Sequence, residues 1–181
     1  PGGLGGLLRL ADHREGAFET GRDEIVLVVV VMIEGALRHV QPGRDRQRVR
    51  LGRLIKDAPG NRLHIAAHVS DTSAARVIDN IRRMASVGAD SVVIAPPFVV
   101  GDFCTRDFLR RYFLEPLQHS EVPVGIYIRR PPPGMELDLP LWSEIVLHPR
   151  VRFVKDSSAW PEYLARFVEI KQQKTRLKLL T

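Results

Sequence analysis

The run Leu63-His-Ile-Ala-Ala67, then Ser70-Asp-Thr-Ser73, a mixed stretch reaching Gly88, and Ser91-Val-Val-Ile94 reads as one strand–helix–strand unit. The two short runs are almost continuously apolar, the pattern of parallel strands covered on both faces. Ser70, Asp71, Thr72 and Ser73 offer N-caps for a helix over 73–86, and Gly88 ends it. Pro96-Pro97 stops the second strand.

The same alternation extends outward. Thr105 can cap a helix over 106–118, and the next strand runs from Val122 to Ile128. After the loop Arg130-Pro-Pro-Pro-Gly134 come a short helix near 140–147 and the strand Val151-Arg-Phe-Val-Lys155. Pro161 sits in the first turn of a helix over 160–172, and Leu177-Lys-Leu-Leu180 begins a further strand. Toward the N-terminus, residues 43–57 give a basic amphipathic helix with Val49, Leu51, Leu54 and Ile55 turned inward. Before it, Glu24 to Val31 reads as one buried strand and residues 4–19 as a helix. Strand and helix recur about every 30 residues, the spacing of right-handed βαβ units around a parallel sheet. A closed (β/α) barrel and an open doubly wound sheet both fit. The glycine-rich stretch Gly2 to Gly6 follows no strand, so a dinucleotide-binding fingerprint is lacking and the barrel is favoured.

With 181 residues, 44% hydrophobic and 27% charged, the chain is expected to form a single globular domain over 1–181. The net charge of +6 raises the question of nucleic acid. The densest basic group, Arg44, Arg46, Arg48, Arg50 and Arg53, falls within a surface helix, so a solvated face is expected and no nucleic-acid groove. The single cysteine, Cys104, excludes an internal disulfide and suits a reducing compartment. The longest apolar run, Ile25 to Ile33, is too short to span a bilayer, and no secretory signal is visible. The expected setting is cytoplasmic, with no membrane partner.

In either architecture chemistry collects at the C-terminal ends of the strands. Those positions are Glu34, His68 and Ser70, Pro96 to Phe98, Tyr127 to Arg130, and Lys155 to Ser158. Lys155 closes an apolar strand, where partial desolvation lowers a lysine pKa and frees the amine to attack a carbonyl. Its plain alternative is a strand-end lysine reaching to water. Tyr127 ends the preceding strand, and a phenol beside that amine can relay protons while an imine forms and hydrolyses; otherwise it is a rim aromatic. His64 and His68 lack a carboxylate or cysteine cluster, so a metal site is not expected. Ser157 and Ser158 read as helix caps, Asp156 as a loop-orienting acceptor, and Trp142 and Trp160 as packing residues.

Four of these pieces, in order, resemble the dihydrodipicolinate synthase / N-acetylneuraminate lyase superfamily of class I, Schiff-base aldolases. Val151-Arg-Phe-Val-Lys-Asp-Ser-Ser158 is similar to that family's strand ending in K-D-S-S, whose lysine forms an imine with pyruvate or another 2-keto acid. Val122-Pro-Val-Gly-Ile-Tyr127 resembles its P-x-x-x-Y-N-x-P strand, and Gly88-Ala-Asp-Ser-Val-Val-Ile-Ala-Pro-Pro97 its G-A-D-x-x-x-x-x-x-P stretch. Glu34-Gly35-Ala36-Leu37 falls where the family has its G-T-T-G-E loop. The resemblance implies a parallel (β/α)8 barrel of the TIM type, incomplete here and running from about the first helix to the seventh strand. It implies a lyase acting on a keto acid and an aldehyde through an imine on Lys155, with Tyr127 as proton relay. It further implies no metal or organic cofactor and a homo-oligomer, a tetramer or dimer.

The sequence also departs from that pattern. The Thr-Thr pair that holds the keto-acid carboxylate has no counterpart in Val31-Met32-Ile33-Glu34-Gly35, and the aromatic pair after the third strand reads Pro97-Phe98. Ile128-Arg129-Arg130-Pro131 replaces the Asn and Pro after the tyrosine. Either arginine could bind a carboxylate bidentately, or face solvent. Glu34 is a second acid in the mouth or, in the plainer reading, a loop hydrogen-bonding residue. The chain opens on Pro1-Gly2-Gly3 and stops at Thr181, so a partial chain is expected. The competing readings are a non-catalytic barrel remnant serving interaction or oligomerisation, and a basic nucleic-acid binder.

Overall fold

The computed structural model describes residues 17–20, 24–27, 29–31, 49–50, 52–53, 56–57, 64–97, 105–129 and 138–180. Eight strands are present among them: β1 (Ala17–Thr20), β2 (Glu24–Leu27), β3 (Val29–Val31), β4 (Ile65–His68), β5 (Ser91–Ile94), β6 (Val124–Arg129), β7 (Val151–Ser157) and β8 (Lys178–Leu180). Four helices alternate with the later strands: α1 (Ala74–Ser86), α2 (Arg106–His119), α3 (Leu139–Leu147) and α4 (Pro161–Gln173). Within 43–57, residues 49, 50, 52, 53 and 56 are helical.

The caps form where the sequence offers them. Ser73, Thr105 and Asp138 stand at the N-caps of α1, α2 and α3, and each side chain accepts from a backbone amide three residues on. Gly88 follows α1 with φ at +82°, a left-handed conformation glycine adopts without a Cβ clash.

Two expectations need correction at the N-terminal side. Residues 17–20 are strand β1, not the end of a helix, and they pair antiparallel with β2, Ala17 opposite Leu27. The apolar run 24–31 is therefore divided: 24–27 belongs to the β1–β2 pair, and Val29–Val31 alone enters the parallel sheet. A continuous β-branched run satisfies either pairing, so its composition cannot say which partner takes which half.

The main sheet has six parallel strands in the order β3-β4-β5-β6-β7-β8. That order never reverses. A doubly wound sheet needs a reversal, so the sheet is singly wound, with the helices on one side, as in a (β/α) barrel. Side chains sort accordingly. Ile65, Ala67, Val92, Ile94, Val124, Ile126, Ile128, Val151 and Val154 pack outward into one core with the helices. Its centre is an aromatic group in which Trp142 meets Phe113, Tyr163 and Phe167 edge-on. The opposite, inner face carries a smaller cluster: Ala66, Val93 and Phe153, with Tyr127 and Leu180 packed against it.

Candidate active site at the C-terminal mouth of the sheet

Lys155 and Tyr127 are direct register partners on β7 and β6, and Leu180 of β8 flanks Lys155 on its other side. The alternation that puts Phe153 and Leu180 on the inner face puts Tyr127 and Lys155 there as well. The ammonium lies over the Tyr127 ring, 4.9 Å from its centroid. At half-exposed sites such a contact contributes about 0.5–1 kcal/mol and holds the lysine stem in one direction. Burial among these apolar neighbours moves the Lys155 ammonium below the usual lysine range.

One step nearer the mouth, Arg129 pairs with Ser157. Arg129 is close enough to the buried Tyr112 hydroxyl of α2 to act on it electrostatically, although burial is the stronger influence and raises that phenol. On β4, His68 shares the inner face with Ala66, and its Nε2 lies 3.1 Å from Ser70 Oγ. Ser70 is buried, 7% exposed, and its Oγ accepts the Ala95 amide at 2.6 Å. By strand alternation Lys155, Arg129 and His68 all fall at inner-face positions of the described strands. Such a set suits an anionic ligand.

The loop after Lys155 closes on itself. Asp156 Oδ1 accepts from Ser158 N at 2.9 Å and from Ser158 Oγ at 2.6 Å, so it orients the loop as its sequence position suggests. Ser157 and Ser158 are not the caps expected of them. Trp160 stands at the N-cap of α4 without a side-chain cap bond, and Ser158 Oγ accepts from the Trp160 amide at 3.2 Å. Between the two, Ala159 adopts φ 59°, a left-handed conformation unusual for a residue with a Cβ.

His64 and His68 do not combine. His64 lies 3.0 Å from Ser91 Oγ at the opposite end of the sheet, and burial lowers its pKa. Among the described residues no group of three His, Cys, Asp or Glu could hold a metal ion, and no helix is long and apolar enough to cross a membrane. Glu34, Arg130 and Pro97-Phe98 were the remaining mouth candidates; Glu34, Arg130 and Phe98 lie outside the described residues.

By sequence the chain matches no family model and no curated protein. By structure it is similar to a dihydrodipicolinate synthase family protein from Coccidioides immitis (24% identity, TM-score 0.62), over 75% of this chain and 42% of that one. A prophage protein of the dihydrodipicolinic acid synthase family from E. coli K12, solved in complex with pyruvate, aligns with 75% of this chain and 45% of its own (19% identity, TM-score 0.64). A 2-keto 3-deoxygluconate aldolase from Picrophilus torridus aligns likewise (18% identity, TM-score 0.62, 75% and 47%).

The fold is that of the dihydrodipicolinate synthase family.

The chain spans less than half the length of these three family structures. At such identities the likeness is one of fold, and it agrees with the order of motifs along the sequence. What the motifs could not reveal is what lies beneath Lys155. Phe153 and Gly125 meet there, and the one sequence signal for it was a glycine inside an apolar strand, which often marks close approach of another group.

Proposed function

We propose that this chain is a member of the dihydrodipicolinate synthase / N-acetylneuraminate lyase superfamily and carries its Schiff-base lyase chemistry on Lys155. One observation carries the reading: the lysine of Lys-Asp-Ser-Ser stands on the inner face at the strand mouth, partly desolvated, with the Tyr127 ring against its ammonium. The complex of a similarly folded protein with pyruvate supports a 2-keto acid as substrate.

The uncharged Lys155 amine attacks the keto carbon, giving a carbinolamine. Loss of water gives an iminium, an electron sink for the adjacent carbon. Removal of a proton from that carbon forms an enamine, which adds to an aldehyde; the reverse sequence cleaves the product. Tyr127 passes the proton between the carbinolamine oxygen and solvent. Arg129 or Arg130 binds the substrate's carboxylate in place of the missing Thr-Thr pair, and Glu34 is a further substrate-binding candidate, as a second acid in the mouth. The reaction needs no metal or organic cofactor. A cytoplasmic homo-oligomer is the setting this reading implies.

The test is borohydride trapping with pyruvate, followed by peptide mass spectrometry. A reduced adduct on Lys155, absent in Lys155→Met, is the expected result. A folded chain that gains no adduct on Lys155 overturns the catalytic reading. The second reading, a non-catalytic remnant acting in interaction or oligomerisation, is favoured by Met32-Ile33 standing where the family has Thr-Thr. It predicts that outcome together with no binding of keto acid.

A further inference from the structure

Gly125 and Phe153 are register partners one step below Tyr127 and Lys155 on the inner face. A Cβ placed on Gly125 would lie 2.1 Å from both Cε2 and Cζ of the Phe153 ring and 2.7 Å from Cδ2. Side chains do not approach so closely. The ring therefore occupies the space where a side chain on β6 would stand, and Phe153 is only 7% exposed.

This seat coincides with an irregularity in the ladder. Val124 pairs with Val151, but the next residue, Gly125, pairs with Phe153, so Arg152 is an extra residue on β7. The consequence is one of parity. Val151 and Val154 both face the helices although they are three residues apart, which a regular strand with period two does not allow. Without the extra residue, Val151 facing outward would place Phe153 and Lys155 outward too. The bulge turns both to the inner face.

Resting on the Schiff-base reading, we propose that Phe153, seated on Gly125 across this bulge, is a positioning residue that holds the Lys155 amine inside the mouth above an apolar floor. Ala66, Val93 and Phe153 form that floor, with Tyr127 and Leu180 as its sides. Water excluded from beneath the ammonium disfavours its charged form, in keeping with the lowered pKa of Lys155, whose cause is burial. Among the described residues, the charged or titratable groups at inner-face positions are Tyr127 and Arg129 from β6, Lys178 from β8 opposite Phe153, and His68 from β4. Asp156, next along β7, is bonded to Ser158. The variants below leave these groups in place and change only the floor.

The experiment is reductive methylation with formaldehyde and cyanoborohydride across pH, resolved by peptide mass spectrometry, with the exposed Lys171 as internal reference. In the unaltered chain Lys155 is expected to reach its labelling midpoint at lower pH than Lys171. Phe153→Ala opens the floor to water and moves the Lys155 midpoint up by about one pH unit, a roughly tenfold loss of uncharged amine at neutral pH. Phe153→Leu keeps an apolar floor and stays within a few tenths of the parent. Equal midpoints for Lys155 and Lys171 in the unaltered chain overturn the proposal, whether or not any variant folds. So does an unmoved midpoint in folded Phe153→Ala. Methylation uses no keto acid, so failed pyruvate trapping with these shifts intact rejects the lyase reading and leaves the floor standing.

Discussion

The Tyr112 hydroxyl is bonded to both backbone groups of Asp71: it donates to the carbonyl at 3.1 Å and accepts from the amide at 3.3 Å. Tyr112, on α2, is 1% exposed and thereby fixes the β4–α1 loop at the rim of the mouth. Tyr112→Phe keeps the ring and removes the partner of the part-buried Asp71 amide and carbonyl, which costs about 1 kcal/mol. Urea unfolding is the measurement; an unchanged midpoint contradicts the assignment.

Asp71 itself makes the loop acid-sensitive. Burial pushes its carboxyl up, but Arg76 at 2.6 Å, the Thr72 amide and Asn80 outweigh this and hold it below the usual carboxylate range. A depressed carboxylate stabilises the fold above its unfolded pKa, near 4, and loses that contribution as pH falls through the folded value. Asp71→Asn should lower the melting temperature at pH 7 and show a shallower decline below about pH 4 than the parent. Parallel decline in the two proteins rules this out.

Lys174 works in the alkaline range. Its Nζ donates to the carbonyls of Val146 at 2.9 Å and His148 at 2.6 Å, closing the end of α3. Burial, then Arg152, brings its ammonium down to about 8. A neutral amine keeps two N–H groups, one for each carbonyl. Between that pH and about 10.4 the unfolded chain holds a proton that the folded chain has shed, so stability rises with pH. Lys174→Met should flatten the rise and lose about 1 kcal/mol at neutral pH, read by chemical denaturation at a series of pH values.

At Ala159 the left-handed backbone costs about 1–2 kcal/mol for a residue with a Cβ. Glycine relieves most of that while adding about 0.5–1 kcal/mol of unfolded-state entropy. Ala159→Gly is therefore expected to be neutral or stabilising by up to about 1 kcal/mol, and Ala159→Val clearly destabilising because a β-branched residue is excluded there. Equal effects of the two substitutions count against a strained turn.

Tyr127→Phe separates the two parts of that side chain. The ring stays against the Lys155 ammonium, so methylation of the lysine should be unchanged. The hydroxyl is lost, and pyruvate trapping should slow by about 10²–10⁴-fold if it relays the proton. Equal trapping rates remove Tyr127 from the mechanism.

Most of this arrangement was legible in the chain from Leu63 onward. Apolar runs, caps and glycine stops placed each later strand and helix within a few residues, and Lys155 and Tyr127 stood out because strand ends are where a parallel sheet collects chemistry. The N-terminal side was less legible. Glu24 to Val31 is apolar at nearly every position, so nothing local separates the antiparallel half from the parallel half.

What the sequence determined alone is therefore the alternation, the strand ends and the place of Lys155 at one of them. What only the tertiary structure decided is which way that lysine faces. Side chains alternate with period two, so one extra residue, Arg152 in β7, reverses every position after it. Whether a residue is extra depends on its partner strand, here on the space that Gly125 leaves for Phe153. That pairing joins residues far apart in the chain, and no periodicity within either strand contains it.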